Sequence, residues 1–173
     1  MTADTVTELA ARYHNFYLFK DTSGEDRVAL ANANLPGVFL VRGAEGQYHQ
    51  WPRCAGGPYD GFLLSTANCF SRQFVNILQQ LSANEKVQAG ELSQRVSRVV
   101  TGCFEAVADL AWANPFTNAN KILDHVLAYG GRWKTMPAPY LRGRHQLPPE
   151  YVATAFQLLE RERLLPQRGY LDE

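Results

Sequence analysis

The chain has 173 residues, its 17 basic side chains balance 17 acidic ones, and 46% of its residues are hydrophobic. That length supports one domain with a substantial core, and without a basic block or stripe there is no footprint for nucleic acid. No apolar stretch approaches the roughly 18 residues that cross a bilayer, and Met1 to Val6 lack the regions of a signal peptide.

In chain order, the first predicted element is a helix over residues 4–13. Val6, Leu9 and Ala10 share one face, and Thr5 followed by Glu8 has the form of a capping box. Phe16-Tyr17-Leu18-Phe19 is short and continuously apolar, which suits a strand covered on both faces. Lys20-Asp21-Thr22-Ser23-Gly24 follows it as a turn, and a short helix through Val28, Ala29 and Leu30 ends near Leu35-Pro36-Gly37. Val38-Phe39-Leu40-Val41 is a second apolar run, closed by Arg42-Gly43. The third, Gly61-Phe62-Leu63-Leu64, comes after the breaker-rich Ala55-Gly56-Gly57-Pro58 and ends in Ser65-Thr66-Ala67-Asn68.

Beyond residue 70 the period changes. Phe70, Phe74, Ile77, Leu78 and Leu81 follow helical spacing, and Ser82 with Glu85 forms a second capping-box candidate. A helical stripe from Leu92 through Val96, Val99, Cys103 and Val107 continues to about Trp112. Another helix from about Asn118, with Ile122, Leu123 and Val126 inward, stops at Gly130-Gly131. A Pro- and Arg-rich loop over residues 136–147 leads to Pro148-Pro149, which opens a last helix.

Strands joined by helical crossovers imply parallel pairing and right-handed βαβ units. The polar and glycine residues gather after each strand, where α/β proteins build their sites. Three strands cannot close a barrel and leave unpaired edges.

Lys20 is the central candidate. At the end of an apolar strand it is either a cation reaching for water or pairing with Asp21, or a buried amine. Burial would favour the neutral form and make it a nucleophile toward a carbonyl. Tyr17 reads as a core aromatic. Cys54, Cys69 and Cys103 are odd in number without a CxxC pair, so they read as reduced thiols of a cytoplasmic protein. His14, His49, His125 and His145 show no metal-ligand spacing, and no metal or cofactor is expected. The Arg142-Gly143-Arg144-His145 cluster reads as a solvated loop before an anion site. No hydrolase arrangement surrounds Ser65 or Cys69.

The run Phe19-Lys20-Asp21-Thr22-Ser23-Gly24 resembles the Schiff-base lysine segment of the dihydrodipicolinate synthase and N-acetylneuraminate lyase family. Val41-Arg42-Gly43-Ala44-Glu45 resembles the end of that family's seventh barrel strand, and Asp60 to Asn68 its eighth strand and following loop. The segment from Asn114-Pro115 through Lys121 to Leu127 is similar to its C-terminal helical region. The resemblance implies an α/β fold, a partial (β/α)₈ TIM barrel of about three parallel strands followed by C-terminal helices. Residues 1–82 would hold the barrel part and 83–173 the helices.

It implies Lys20 as the imine-forming residue toward a 2-keto acid such as pyruvate, in a lysine-dependent aldolase or lyase. Glu45 and Ser65 would fall at substrate hydroxyls, which favours a sugar-acid-like second substrate; a solvated glutamate and a turn serine are the plain alternatives. Gly43 joins Glu45 and Ser65 as a candidate substrate-binding residue, though close backbone approach or a positive φ suits a glycine there better than binding itself. The family's GTTGE-like carboxylate-binding loop and YNxP-like segment with its proton-shuttling tyrosine have no counterpart in these residues. The resemblance thus covers a C-terminal half and implies a missing N-terminal half-barrel or an oligomer as partner. The competing expectation is a non-catalytic fragment or assembly partner. A flavodoxin-like open domain is a weaker third, with too few strands and no phosphate-cradling glycine loop.

Overall fold

The computed structural model describes residues 1–31, 33, 35–112 and 114–171. The chain forms two compact units, Met1–Leu64 with Phe74–Ser93, and Ser65–Gln73 with Gln94–Glu173.

In the first unit, α1 (Ala3–Arg12) precedes β1 (Leu18–Asp21), α2 (Arg27–Leu30), β2 (Phe39–Arg42) and β3 (Gly61–Phe62). The strands form one sheet in the order β1-β2-β3, parallel throughout. Leu18 registers with Phe39 and Lys20 with Val41, and Val41 with Gly61. Because side chains alternate, Leu18, Lys20, Phe39 and Val41 share one face of the sheet and Phe19, Asp21, Leu40 and Arg42 the other. The second face carries the core: Leu40, Ala29, Val38 and Tyr59 are buried together, with Phe19, Phe16, Ala10 and Trp51 packed against them. Each such aliphatic or aromatic side chain, fully buried, contributes about 1.5–3 kcal/mol.

The first face stays open at its start. Leu18 is 43% exposed and Phe39 50%, so β1 is not the doubly covered strand expected, while β2 beyond Phe39 is buried on both faces. Tyr17 is a second correction: at 70% exposure it is a surface aromatic. Its odd separation from Lys20 puts the two on opposite sides of an extended chain.

Two helix starts also differ from expectation. Thr2, not Thr5, caps α1, its Oγ1 accepting from Thr5 N at 3.2 Å. Ser82 closes a helix: α3 runs Ala67–Ser82, and the Ser82 hydroxyl donates back to Leu78 O at 2.9 Å. The next helix, α4 (Lys86–Ala106), stops short of Trp112. Ser82 fails as an N-cap because it is itself the last residue of α3, while α4 does not begin until Lys86; local spacing does not reveal where one helix ends. Within α3, Phe70 departs from helical geometry (φ −122°, ψ 24°).

The second unit is helical and includes α5 (Pro115–Tyr129) and α6 (Pro149–Arg161). Asn114 caps α5 through Thr117 N at 2.9 Å, Pro115 opens it, and Gly130 ends it at φ 51°. Ala119, Ile122, Leu123 and Val126 are fully buried along the stripe that the period predicts, and Val152, Ala155 and Leu159 line the inner side of α6. No described helix is long and apolar enough to cross a membrane.

Candidate functional site

Lys20 and Gly43 lie at the carboxyl ends of adjacent parallel strands. The ladder continues past β2, with Gly43 N donating to Asp21 O at 2.6 Å and Leu63 N to Arg42 O at 3.0 Å. The Lys20 side chain runs directly over Gly43: a Cβ there would overlap Lys20 Cε and stand 2.6 Å from Thr22 Oγ1. Of the two uses considered for Gly43, close approach is the one observed, with no positive φ at this position. Lys20 is exposed, so the buried amine of the nucleophile reading is not realised within the described residues.

What holds these ends is a buried polar network that the sequence reading passed over. Arg42 is 4% exposed and Asp26 2%. Arg42 Nε donates to Asp26 Oδ1 at 2.8 Å and Nη2 to Oδ2 at 3.0 Å, a bidentate pair. Its Nη1 donates to Ala44 O at 2.8 Å and Gly46 O at 3.1 Å, fixing the loop that carries Gly43 and Glu45. The guanidinium lies 4.3 Å from the ring centre of Trp51. Tyr59, fully buried, donates to Asp26 Oδ1 at 2.6 Å and lies 3.4 Å from Asp21 Oδ2.

Asp21 in turn shapes the turn after Lys20, its Oδ1 accepting from Ser23 N at 2.9 Å and Ser23 Oγ at 2.6 Å. Burial pushes the Asp26 carboxyl up, but the hydrogen bonds from Arg42 and Tyr59 with the Arg42 charge outweigh it, holding Asp26 below the ordinary carboxylate range. Burial and the neighbouring aspartates push the Tyr59 phenol far up, so it acts as a donor.

Glu45 is half-buried, and its Oε2 accepts from Tyr48 Oη at 2.9 Å. Tyr48 is fully buried against Phe74 and Phe62, so it anchors the glutamate on the loop. Ser65 belongs to the second unit, where it is half-buried and its carbonyl accepts from Asn68 Nδ2 at 3.0 Å. The first unit thus brings together Lys20, Gly43 and, on the adjoining loop, Glu45.

Among the described residues no group of three His, Cys, Asp or Glu side chains is placed to hold a metal. His49 contacts Ser93 Oγ through Nδ1 at 3.1 Å and burial lowers its pKa; His125 pairs with Trp133 O at 3.0 Å. His145 stacks on Trp112 with ring centres 4.3 Å apart. Each makes a structural contact.

The signal for the missed network was present, since Arg42 closes an apolar run and forms the last residue of the central strand. Its partner Asp26 sits in a turn sixteen residues away, at φ 53°, and nothing local pairs them.

No protein-family profile matches the chain, and no curated protein matches it significantly. Solved structures do match in fold. A variant of the 2-keto-3-deoxygluconate aldolase of Sulfolobus solfataricus, complexed with L-2-keto,3-deoxy-galactonate, superposes with TM-score 0.62 at 18% identity over 91% of this chain and 48% of its own. A dihydrodipicolinate synthase gives TM-score 0.58 at 16% identity over 95% and 51%. A dihydrodipicolinate synthase family protein from Coccidioides immitis gives 0.60 at 18% over 96% and 53%. The chain therefore spans about half the length of these structures, and its fold is a partial (β/α)₈ barrel with C-terminal helices, as in the dihydrodipicolinate synthase and keto-deoxy sugar-acid aldolase structures it matches.

Proposed function

We propose that the chain supplies the lysine-bearing half of a class I aldolase or lyase of the dihydrodipicolinate synthase and N-acetylneuraminate lyase family, acting on a 2-keto acid such as pyruvate. The supporting observation is Lys20 lying over Gly43 at the carboxyl ends of two parallel strands, with the Arg42 network fixing both ends. Lys20 attacks the keto carbon as a neutral amine. The carbonyl oxygen leaves as water, and the protonated imine accepts the electron pair released when the bond between its neighbouring carbon and the hydroxyl-bearing carbon beyond breaks. The hydroxyl gives its proton to a base and becomes the carbonyl of the leaving aldehyde. The enamine takes up a proton, and water hydrolyses the imine to free the keto acid and Lys20. Glu45, and Ser65 after the third strand, would bind hydroxyls of a sugar-acid-like second substrate.

The remaining strands of the barrel, whether on a longer chain or another one, would cover the face that Lys20 shares with Leu18 and Phe39. Covering it removes water from the ammonium and favours the nucleophilic neutral form. The remaining strands would also bring the carboxylate-binding and proton-transfer groups. Borohydride reduction with pyruvate, in the assembled barrel, tests the reading: an irreversible adduct is expected, and turnover without any trappable adduct would overturn imine chemistry.

A second reading has its own support. Leu18, Phe39 and Leu63 are 43%, 50% and 49% exposed, so the chain also fits a non-catalytic assembly partner whose open sheet requires a complementary half. Sedimentation decides it: this reading expects self-association or pairing with the complementary half, and a stable monomer indifferent to that half would exclude it.

A further inference from the structure

We propose that the second unit carries a separate binding pocket for an organic anion, a carboxylate or phosphate ester with a short apolar body. A cavity of about 650 Å³ lies between the start of α3 and the chain that follows α6, within the size range of small-molecule sites. Its lining includes Arg72, Arg163 and Arg168 and no carboxylate, on a chain whose charges balance overall. Leu127, Leu164 and Pro166 provide an apolar wall. Arg168 has another interaction, so the proposal rests on Arg72 and Arg163. Guanidinium groups match the planar, paired oxygens of carboxylate and phosphate, and an apolar wall beside them selects an organic ligand over an inorganic ion.

The wall is held at both ends. Arg95 donates through Nε to Glu162 O at 2.7 Å and through Nη2 to Arg163 O at 2.8 Å, which fixes the turn where Arg163 takes φ 54°. At the other end, Tyr170 N donates to Leu127 O at 3.2 Å and Leu171 N to Ala128 O at 2.9 Å. The Tyr170 hydroxyl donates to Asp124 at 2.7 Å. Gly169 lies so close to α5 that a Cβ would stand 2.6 Å from the Ala128 carbonyl carbon. A cavity pinned this way does not have to be ordered by its ligand, which lowers the cost of binding. The Arg142 to His145 segment, the other arginine-rich stretch, lines none of this cavity.

Calorimetric titration of the 173-residue chain with phenyl phosphate, benzoate and inorganic phosphate tests the proposal. At least one organic anion is expected to bind below about 1 mM, roughly tenfold tighter than inorganic phosphate. The R72Q/R163Q double variant, altered only at exposed side chains, should lose at least about tenfold in affinity. Phenyl phosphate binding with weak benzoate binding identifies a phosphate ester site, and the reverse a carboxylate site. No binding by either organic anion, or binding unchanged in the double variant, would overturn the proposal.

Discussion

Replacing Arg42 by methionine removes the partner of a buried carboxylate while keeping most of the apolar stem. Asp26, 2% exposed, would retain only the Tyr59 hydroxyl at 2.6 Å, and Ala44 O and Gly46 O would lose their donor. Breaking a buried pair from one side costs about 3–5 kcal/mol. An upper limit for the carboxylate's share follows from its alternative, which is to take up a proton. From the ordinary value of 3.8, protonation at pH 7 costs about 4.4 kcal/mol, at 1.36 kcal/mol per unit.

The pH dependence has a definite sign. In the parent, Asp26 sits below its unfolded pKa, so its stabilisation is complete above that value and is lost as pH falls through the folded one. In the variant, burial without Arg42 raises the folded pKa above the unfolded one, so stability declines as pH rises from about 4 toward 7. The gap between the two proteins should therefore widen over that window. Urea unfolding of the parent, Arg42→Met, Asp26→Leu and the double variant measures it. The double variant should be less destabilised than Arg42→Met, because no unpaired charge remains. A penalty below about 1 kcal/mol with no pH dependence would refute the buried-pair account. Tyr59→Phe, a milder change expected to cost about 1–2 kcal/mol, reports on the same network if Arg42→Met does not fold.

Other outcomes follow from local geometry. Gly43→Ala puts a methyl where Lys20 Cε and Thr22 Oγ1 lie; because Lys20 is exposed and can swing aside, the cost in urea unfolding should stay below about 1 kcal/mol, and a loss above about 3 kcal/mol would mean that the backbone itself is displaced. Cys103 is fully buried and burial pushes its thiol up to about 12, so iodoacetamide on the native protein should label exposed Cys54 and spare Cys103 until unfolding. Comparable rates, read by mass spectrometry, would contradict that burial. Asn114→Ala removes the cap on Thr117 N and should lower stability by about 1 kcal/mol, whereas an unchanged melting curve would show the cap to be redundant.

Much of the fold was legible because its signals are local. The helical stripe of α5, its Pro115 start and its Gly130 stop stand in order along the sequence, and three apolar runs give three parallel strands, but only the first crossover carries an α-helix. β2 and β3 are joined by a loop with a single 3₁₀ turn at Arg53–Ala55, because the glycines and prolines of residues 52–58 break a helix there. Tyr17 and Leu18 misled because an apolar side chain on an open sheet face reads like one in a core. Composition does not show whether a cover is present. The caps misled for a related reason, since Thr5 and Ser82 have the right neighbours but stand inside helices. Of the candidate residues, Lys20, Gly43, Glu45 and Ser65 came from resemblance and strand ends, and the first three share the first unit. The Arg42–Asp26–Tyr59 network joins residues brought together only by the parallel crossover, so no window of sequence contains it.

Lysine mapping tests the central claim most directly. The chain has Lys20, Lys86, Lys121 and Lys134, and Lys121 Nζ already donates to Tyr140 O. After borohydride reduction with pyruvate in the assembled barrel, peptide mass mapping should place the adduct on Lys20, and Lys20→Arg should abolish it. An adduct on any of the other three, or one that survives Lys20→Arg, would contradict the account.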